Sequence, residues 1–189
     1  MLEGKSILCV IPARGGSRRL PFKNIMLFRG KGLIQWAIEH AEGSKYLDRI
    51  VVSTEDQAIA LHAGEYFLER PVFLAEDRVP TEAVLVHVLH QVPEYDFAVL
   101  LQPTSPLRTV EDIDRSIEIA VTQHGVSGLT GCVSYNEHGQ RNGAVFVCNV
   151  QHFLQHLSFD AAHHYMMPNA RSLDINYSWD ITNNENPRR

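Results

Sequence analysis

Apolar residues come in short uninterrupted runs separated by longer stretches in which they recur every three or four positions. "SILCVIP" (residues 6–12) is rich in β-branched side chains and closed by proline, the pattern of a strand buried on both faces. "RIVVST", "DFAVLLQ" and "GAVFVCN" repeat that pattern further along. Between them, "LIQWAIEHAEGS" sets Leu33, Ile34, Ala37, Ile38 and Ala41 at helical spacing, with Gly43 as a stop. "EDQAIALHAGEYF" reads as a second helix, and "TEAVLVHVLHQV" as a third that opens on a cap at Thr81. "TVEDIDRSIEIAVTQHG" is a fourth, with Thr109 and Asp112 spaced as a capping box, and "VQHFLQHL" is a short fifth.

Strands alternating with helices predict an α/β fold whose mostly parallel sheet carries helices on both faces. In such sheets ligands gather at the carboxyl ends of the strands. "ARGGSRR" and "QPTSPLR" each follow a buried strand directly, so both are expected on that edge. No repeat or linker interrupts the pattern. The 189 residues therefore read as one domain over 1–182 with a polar tail at 183–189.

Composition narrows the function. With 44% apolar and 21% charged residues the chain is neither disordered nor fibrous, and a net charge of -5 disfavours a general nucleic-acid binder. Cys9, Cys132 and Cys148 are an odd number without a C-x-x-C pair, which predicts free thiols in a reducing cytoplasm. No run is long enough to span a membrane, so no membrane partner is expected. His87 and His90 sit three apart on the third helix without a third ligand, and "HHYMM" at 163–167 reads as packing. Trp36 is expected in the core and Trp179 against the C-terminal segment.

One window departs from this acidic background. "IPARGGSRRLPFKN" (residues 11–24) holds Arg14, Arg18, Arg19 and Lys23 and no acid. Gly15 and Gly16 let the backbone approach an anion, Ser17 adds a hydroxyl, and the cations supply charge-assisted hydrogen bonds of about 1.5–3 kcal/mol each. Such a loop suits a polyphosphate. It is neither a P-loop, since "GKS" at 4–6 precedes the strand, nor a G-x-G-x-x-G turn.

The window, followed in order by "GLIQWAIEHA", "RIVVST", "ERPVFLAED", "LLQPTSPLR", "RNGAVFV" and "LDINYSWD", resembles the acylneuraminate cytidylyltransferase family, whose sialate members are CMP-sialic acid synthetases. The resemblance implies a Rossmann-like nucleotide-diphospho-sugar transferase fold. It also implies transfer of CMP from CTP to the anomeric hydroxyl of a sialic-acid-like 2-keto sugar acid, with release of pyrophosphate and with Mg²⁺ as cofactor. Carried over by position, Arg14, Gly15, Gly16, Ser17, Arg18 and Lys23 match the triphosphate loop, with Lys23 nearest the reacting phosphate. Asn24, Arg70 and Thr81 match further nucleotide contacts, and Gln102 and Asn142 match sugar contacts. Arg14, Lys23 and Asp174 become the expected catalytic residues, and Asp174 with Asn176 the expected metal pair.

Three departures from the family stand out. Arg18 replaces a usual lysine, exchanging a point charge for a fork. Asn176 replaces the second aspartate of an acidic "DID" pair, although residues two apart in an extended segment still face one side. The dimerising excursion between "TSPLR" and "RNGAVFV" is short, no arginine or lysine occurs from Thr122 to Gln140, and the usual C-terminal helix is expected to be missing. Any homodimer would then use a non-standard interface, through the sheet edge or through helices. Rival readings are a degenerate, non-catalytic nucleotide or nucleotide-sugar binding protein, and a different nucleotidyl- or glycosyltransferase on the same fold.

Overall fold

The computed structural model describes residues 1–185. In chain order the elements are strand β1 (Ile7–Pro12), strands β2 (Leu27–Phe28) and β3 (Lys31–Gly32), helix α1 (Leu33–Glu42), β4 (Arg49–Thr54), α2 (Gln57–Ala63) and β5 (Phe67–Glu69). They continue with α3 (Thr81–Gln91), β6 (Phe97–Leu100), α4 (Val110–Thr122), β7 (Gly131–Tyr135), β8 (Arg141–Asn149), α5 (Val150–His156), β9 (Ala162–Met166) and α6 (Ser178–Glu185).

Seven strands form one sheet in the order β5-β4-β1-β6-β8-β7-β9, and β2 and β3 form a separate small hairpin. The pairs from β5 to β6 are parallel, β8 runs antiparallel to both β6 and β7, and β9 pairs parallel with β7. β1 lies near the middle and shows why its sequence carries no polar alternation. Ile7, Cys9 and Ile11 pack on the α1 and α4 side, while Leu8 and Val10 pack against α3 and α5, all at 0% exposure. Burying each such side chain contributes about 1.5–3 kcal/mol. The three cysteines are free and buried, and burial pushes each thiol up to about 12.

Several elements depart from the sequence pattern. α2 ends at Ala63, because Gly64 turns the chain at φ 56, and a 3-10 turn over Gly64–Tyr66 then leads into β5 instead of extending the helix. Thr81 does not cap α3. Pro80, held extended, takes the cap position and Thr81 is the first helical residue. By contrast Thr109 and Asp112 do close the capping box on α4. Ala162–Met166 forms an edge strand, a regular element that the expectation of simple packing for "HHYMM" does not include. A C-terminal helix is present: α6 carries through residue 185, past the expected domain limit at 182, while residues 186–189 lie outside the described residues. It is anchored by Ile181 and Ile175, which join Leu20, Phe28 and Leu33 in a small third core.

Trp36 packs half-buried against that third core and donates its indole N–H to Phe28 O at 2.9 Å. Trp179 is exposed and stacks on Tyr177 with ring centres 4.3 Å apart.

Candidate active site

The carboxyl ends of β1, β5 and β6 open into one cleft of about 300 Å³. Its walls include Arg14, Lys23, Asn24, Arg70, Thr81, Gln102, Thr104, Asp174 and Asn176. A neighbouring cleft of about 360 Å³ shares Arg14, Lys23 and Asn176 with it and adds Ser17, Arg18 and Arg19. Most of the residues expected from sequence thus converge, although they are drawn from segments more than 150 positions apart.

Local chemistry builds each wall. After β1 the chain is tied to β4 by Ala13 N–H donating to Ser53 O at 3.0 Å. Asp56 packs so closely under Gly15 that a β-carbon there would overlap its carboxyl group, so any larger residue must displace Asp56. The Gly15 N–H is taken up by Glu55 Oε1 at 2.8 Å, so it is not free to meet an anion. The turn that delivers Lys23 passes through Phe22 at φ 57, a conformation that a bulky residue adopts only under constraint. Phe22 O accepts there from Ile25 and Met26 N–H. Asn24, 5% exposed, donates its amide to Arg14 O at 2.9 Å and closes the loop.

Arg70 is only 3% exposed, and its charge is matched by Glu55, whose Oε2 accepts from Nε at 3.1 Å and Nη2 at 2.5 Å. One carboxylate therefore fastens the basic loop to the Arg70 wall. Sequence reasoning missed Glu55. The signal was its place immediately after β4, on the strand edge where ligands collect.

On the opposite wall, the buried Arg108 guanidinium donates Nη1 to Gln102 O at 3.2 Å and to Ala144 O at 2.7 Å, which fixes the backbone of the "QPTSPLR" loop. Burial lowers Arg108 to about 10, still charged at neutral pH. Gly143, at φ 73, packs against the Gln102 carboxamide. Asn142 does not reach the cleft. Its carboxamide is buried among Ser134, Ser172, Met167 and the Ala144 N–H. Thr104 Oγ1, another residue missed from sequence, is buried at the cleft wall without a partner among the described residues.

The C-terminal segment completes the site. Ile175 is fully buried and its N–H donates to Thr104 O at 2.8 Å, so the flanking Asp174 and Asn176 project together into the cleft, as the period-two argument expects. Asn176 Nδ2 donates to Asp174 Oδ2 at 2.7 Å while its Oδ1 accepts from Lys23 Nζ at 3.5 Å. The amide thus links the lysine to the aspartate. Asp180, absent from the sequence reading, accepts from the N–H groups of Asn176 and Tyr177 at 2.8 and 2.7 Å and starts α6. Burial holds the Lys23 ammonium below the usual lysine range; Asp174 opposes that shift and Arg14 and Arg19 add to it.

Among the described residues no cluster of three or more His, Cys, Asp or Glu forms a ready metal cage. His87 is half-buried and His90 exposed, with no third ligand gathered beside them. At Asp174 the donor set is one carboxylate plus a neutral amide oxygen. That set fits Mg²⁺, which commonly takes one or two carboxylates and fills its octahedron with phosphate oxygens and water.

A cleft at the carboxyl edge of a mostly parallel sheet, walled by a basic loop, is the arrangement of an α/β nucleotidyltransferase. The fold matches that of a solved CMP:2-keto-3-deoxy-manno-octonic acid synthetase complexed with CTP, with a TM-score of 0.71 at 16% identity, covering 95% of this chain and 97% of that one. Rv0371c from Mycobacterium tuberculosis H37Rv superimposes with a TM-score of 0.70 at 16% identity, over 93% of this chain and 95% of that one. Residues 8–167 match the family model described as cytidylyltransferase, and the chain belongs to that family.

Among curated relatives, the N-acylneuraminate cytidylyltransferase of Escherichia coli O18:K1:H7 is 29% identical over 93% of this chain and 50% of its own length. The CMP-N,N'-diacetyllegionaminic acid synthase of Legionella pneumophila is 40% identical over 65% of this chain and 54% of its own. The pseudaminic acid cytidylyltransferase of Campylobacter jejuni serotype O:2 is 36% identical over 59% of this chain and 51% of its own. The chain spans about half the length of the curated relatives it matches. Among the described residues no helix is long and apolar enough to cross a membrane.

Proposed function

We propose that this chain transfers CMP from CTP to the anomeric hydroxyl of a sialic-acid-like 2-keto sugar acid and releases pyrophosphate. The observation that carries the reading is the convergence of Arg14, Lys23, Arg70 and Asp174 on one cleft at the sheet's carboxyl edge. Its relatives' names, which span N-acylneuraminate, legionaminic, pseudaminic and 3-deoxy-manno-octulosonate chemistry, favour an acidic keto sugar without choosing among them.

In this reading Arg14, Ser17 and Arg18 hold the outer phosphates. Lys23 stands where charge builds at the reacting phosphorus, positioned by the Phe22 turn and by Asn176. Positioning and charge neutralisation are the main catalytic resources in phosphoryl-type transfer. Arg70 and Thr81 form the cytidine side, and Gln102 faces the sugar. Asp174, with Asn176 as a neutral neighbour, would hold Mg²⁺, which supplies further neutralisation of the phosphate oxygens.

A second reading is favoured by Asn176. An amide already bonded to Asp174 satisfies that carboxylate without a cation, which suits a nucleotide-binding protein that has lost turnover. The two separate in one experiment. The purified chain is mixed with CTP, Mg²⁺ and a panel of 2-keto sugar acids, and pyrophosphate is measured. Turnover with one of the sugars is expected. CTP binding without pyrophosphate from any sugar would contradict the enzymatic reading, and activity appearing only in Asn176→Asp would establish the second.

A further inference from the structure

Two cations of the basic loop, Arg14 and Arg18, are already paired with an acid. Asp77, in the segment between the turn at Val72–Ala75 and α3, lies across the cleft from them. Its Oδ1 is 2.7 Å from Arg14 Nη1, and its Oδ2 pairs with Arg18 Nε. Arg14 also donates to Ala75 O at 3.4 Å, so the loop grips this segment by backbone as well as by charge. The neighbouring Glu76 is engaged elsewhere, by Arg78 at 3.0 Å.

Two guanidinium groups, each on a separate oxygen of one anion, make the contact they would make with a phosphate group. The side chains of Arg14 and Asp77 are 35% and 32% exposed and that of Arg18 is 88% exposed, so water reaches both pairs and each is individually weak. Such pairs order the side chains yet exchange readily for a stronger anion.

We propose that Asp77 is an internal stand-in for a phosphate group. It holds Arg14 and Arg18 in binding position in the free protein, and it competes with the incoming polyphosphate for them. Asp77 is then an affinity-setting residue whose removal tightens ligand binding, the reverse of what loss of a ligand contact would do. The inference rests on the reading above only in placing a polyphosphate at this loop, and it does not require that the nucleoside be cytidine.

Inorganic tripolyphosphate, titrated by calorimetry at low salt in EDTA, isolates the loop from both the nucleoside and any metal. Asp77→Asn is expected to bind it roughly three- to tenfold more tightly than the wild type, and Asp77→Glu, which keeps the charge, to bind near the wild-type level. Asp77→Ser serves the same purpose as Asp77→Asn should that variant melt early. Unchanged or weaker binding in a variant whose melting transition is intact overturns the proposal, as does a wild type that fails to bind tripolyphosphate. A wild type that binds tripolyphosphate but not CTP contradicts the cytidine assignment and leaves this proposal standing.

Discussion

Asp112, on α4, and Lys23, in the loop after β1, are both charged and both sheltered, yet their surroundings treat them differently. Asp112 is fully buried and saturated. It accepts from Thr109 N and Oγ1, from Tyr165 OH at 3.0 Å, and from Arg171 Nε and Nη2 at 3.0 and 2.7 Å. Burial alone would raise it, but those donors outweigh burial and hold it below the usual carboxylate value. Lys23 has one long contact to Asn176 and otherwise faces a cleft. A saturated charge fastens α4 to the segment after β9, whereas the under-satisfied one lines the cleft, where the proposed function gives it a ligand to meet. The same contrast separates the two amides: Asn142 is enclosed by partners, and Asn176 projects into the cleft.

Breaking the contrast at its two poles gives the largest effects. Lys23→Ala is expected to lower turnover by about 10²–10³-fold, the scale of removing one preorganised charge-stabilising donor, with little change in melting. Arg19→Ala, whose guanidinium lies over the Tyr177 ring with no other assigned role, should cost far less, and equal losses in steady-state pyrophosphate release would break the assignment. At the other pole, Asp112→Ala leaves Thr109, Tyr165 and Arg171 without their acceptor and is expected to reduce unfolding free energy by about 1–3 kcal/mol in denaturant titration, while the folded fraction keeps its CTP affinity.

Between the poles, Glu55→Gln removes the carboxylate shared by Arg70 and Gly15. It is expected to weaken CTP binding about tenfold, with partial rescue by Glu55→Asp; a loss of melting temperature without a change in affinity would make Glu55 merely structural. The smallest effect is on pH dependence. Because burial lowers Lys23 from 10.5, the folded chain binds fewer protons there than the unfolded chain. The cost of its buried charge is therefore present at neutral pH and is relieved as pH rises toward 10.5. CTP binding should accordingly fall on the alkaline side before an ordinary lysine would titrate, and Lys23→Arg should move that limb upward.

Much of this was legible in the sequence because buried parallel strands leave continuous apolar runs and helices leave a 3.6-residue period. β1, β4, β6 and β8 and helices α1 to α5 follow from those patterns, and the strand-to-loop order places both "ARGGSRR" and "QPTSPLR" on the ligand edge. What stayed hidden depends on pairing in space. β5 and β9 lie at the two edges of the sheet, and Phe67, Glu69, His164 and Met166 leave them without a clean alternation. The strands of the hairpin, β2 and β3, are two residues each, too short to carry a period. Glu55 and Asp77 read as ordinary acids until the fold sets them against Arg70, Arg14 and Arg18. The resemblance supplied Asp174 and Asn176, but only the fold shows the amide joining Lys23 to the aspartate.

Calorimetric titration of the wild type with CTP, UTP, ATP and GTP in Mg²⁺ most directly tests the proposal that the cleft takes CTP, with the loop on the triphosphate and Arg70 on the cytidine side. CTP should bind most tightly, with affinity that falls as salt is raised and collapses in Lys23→Ala. Equal affinity for all four nucleotides, or CTP binding that ignores Lys23, would contradict it.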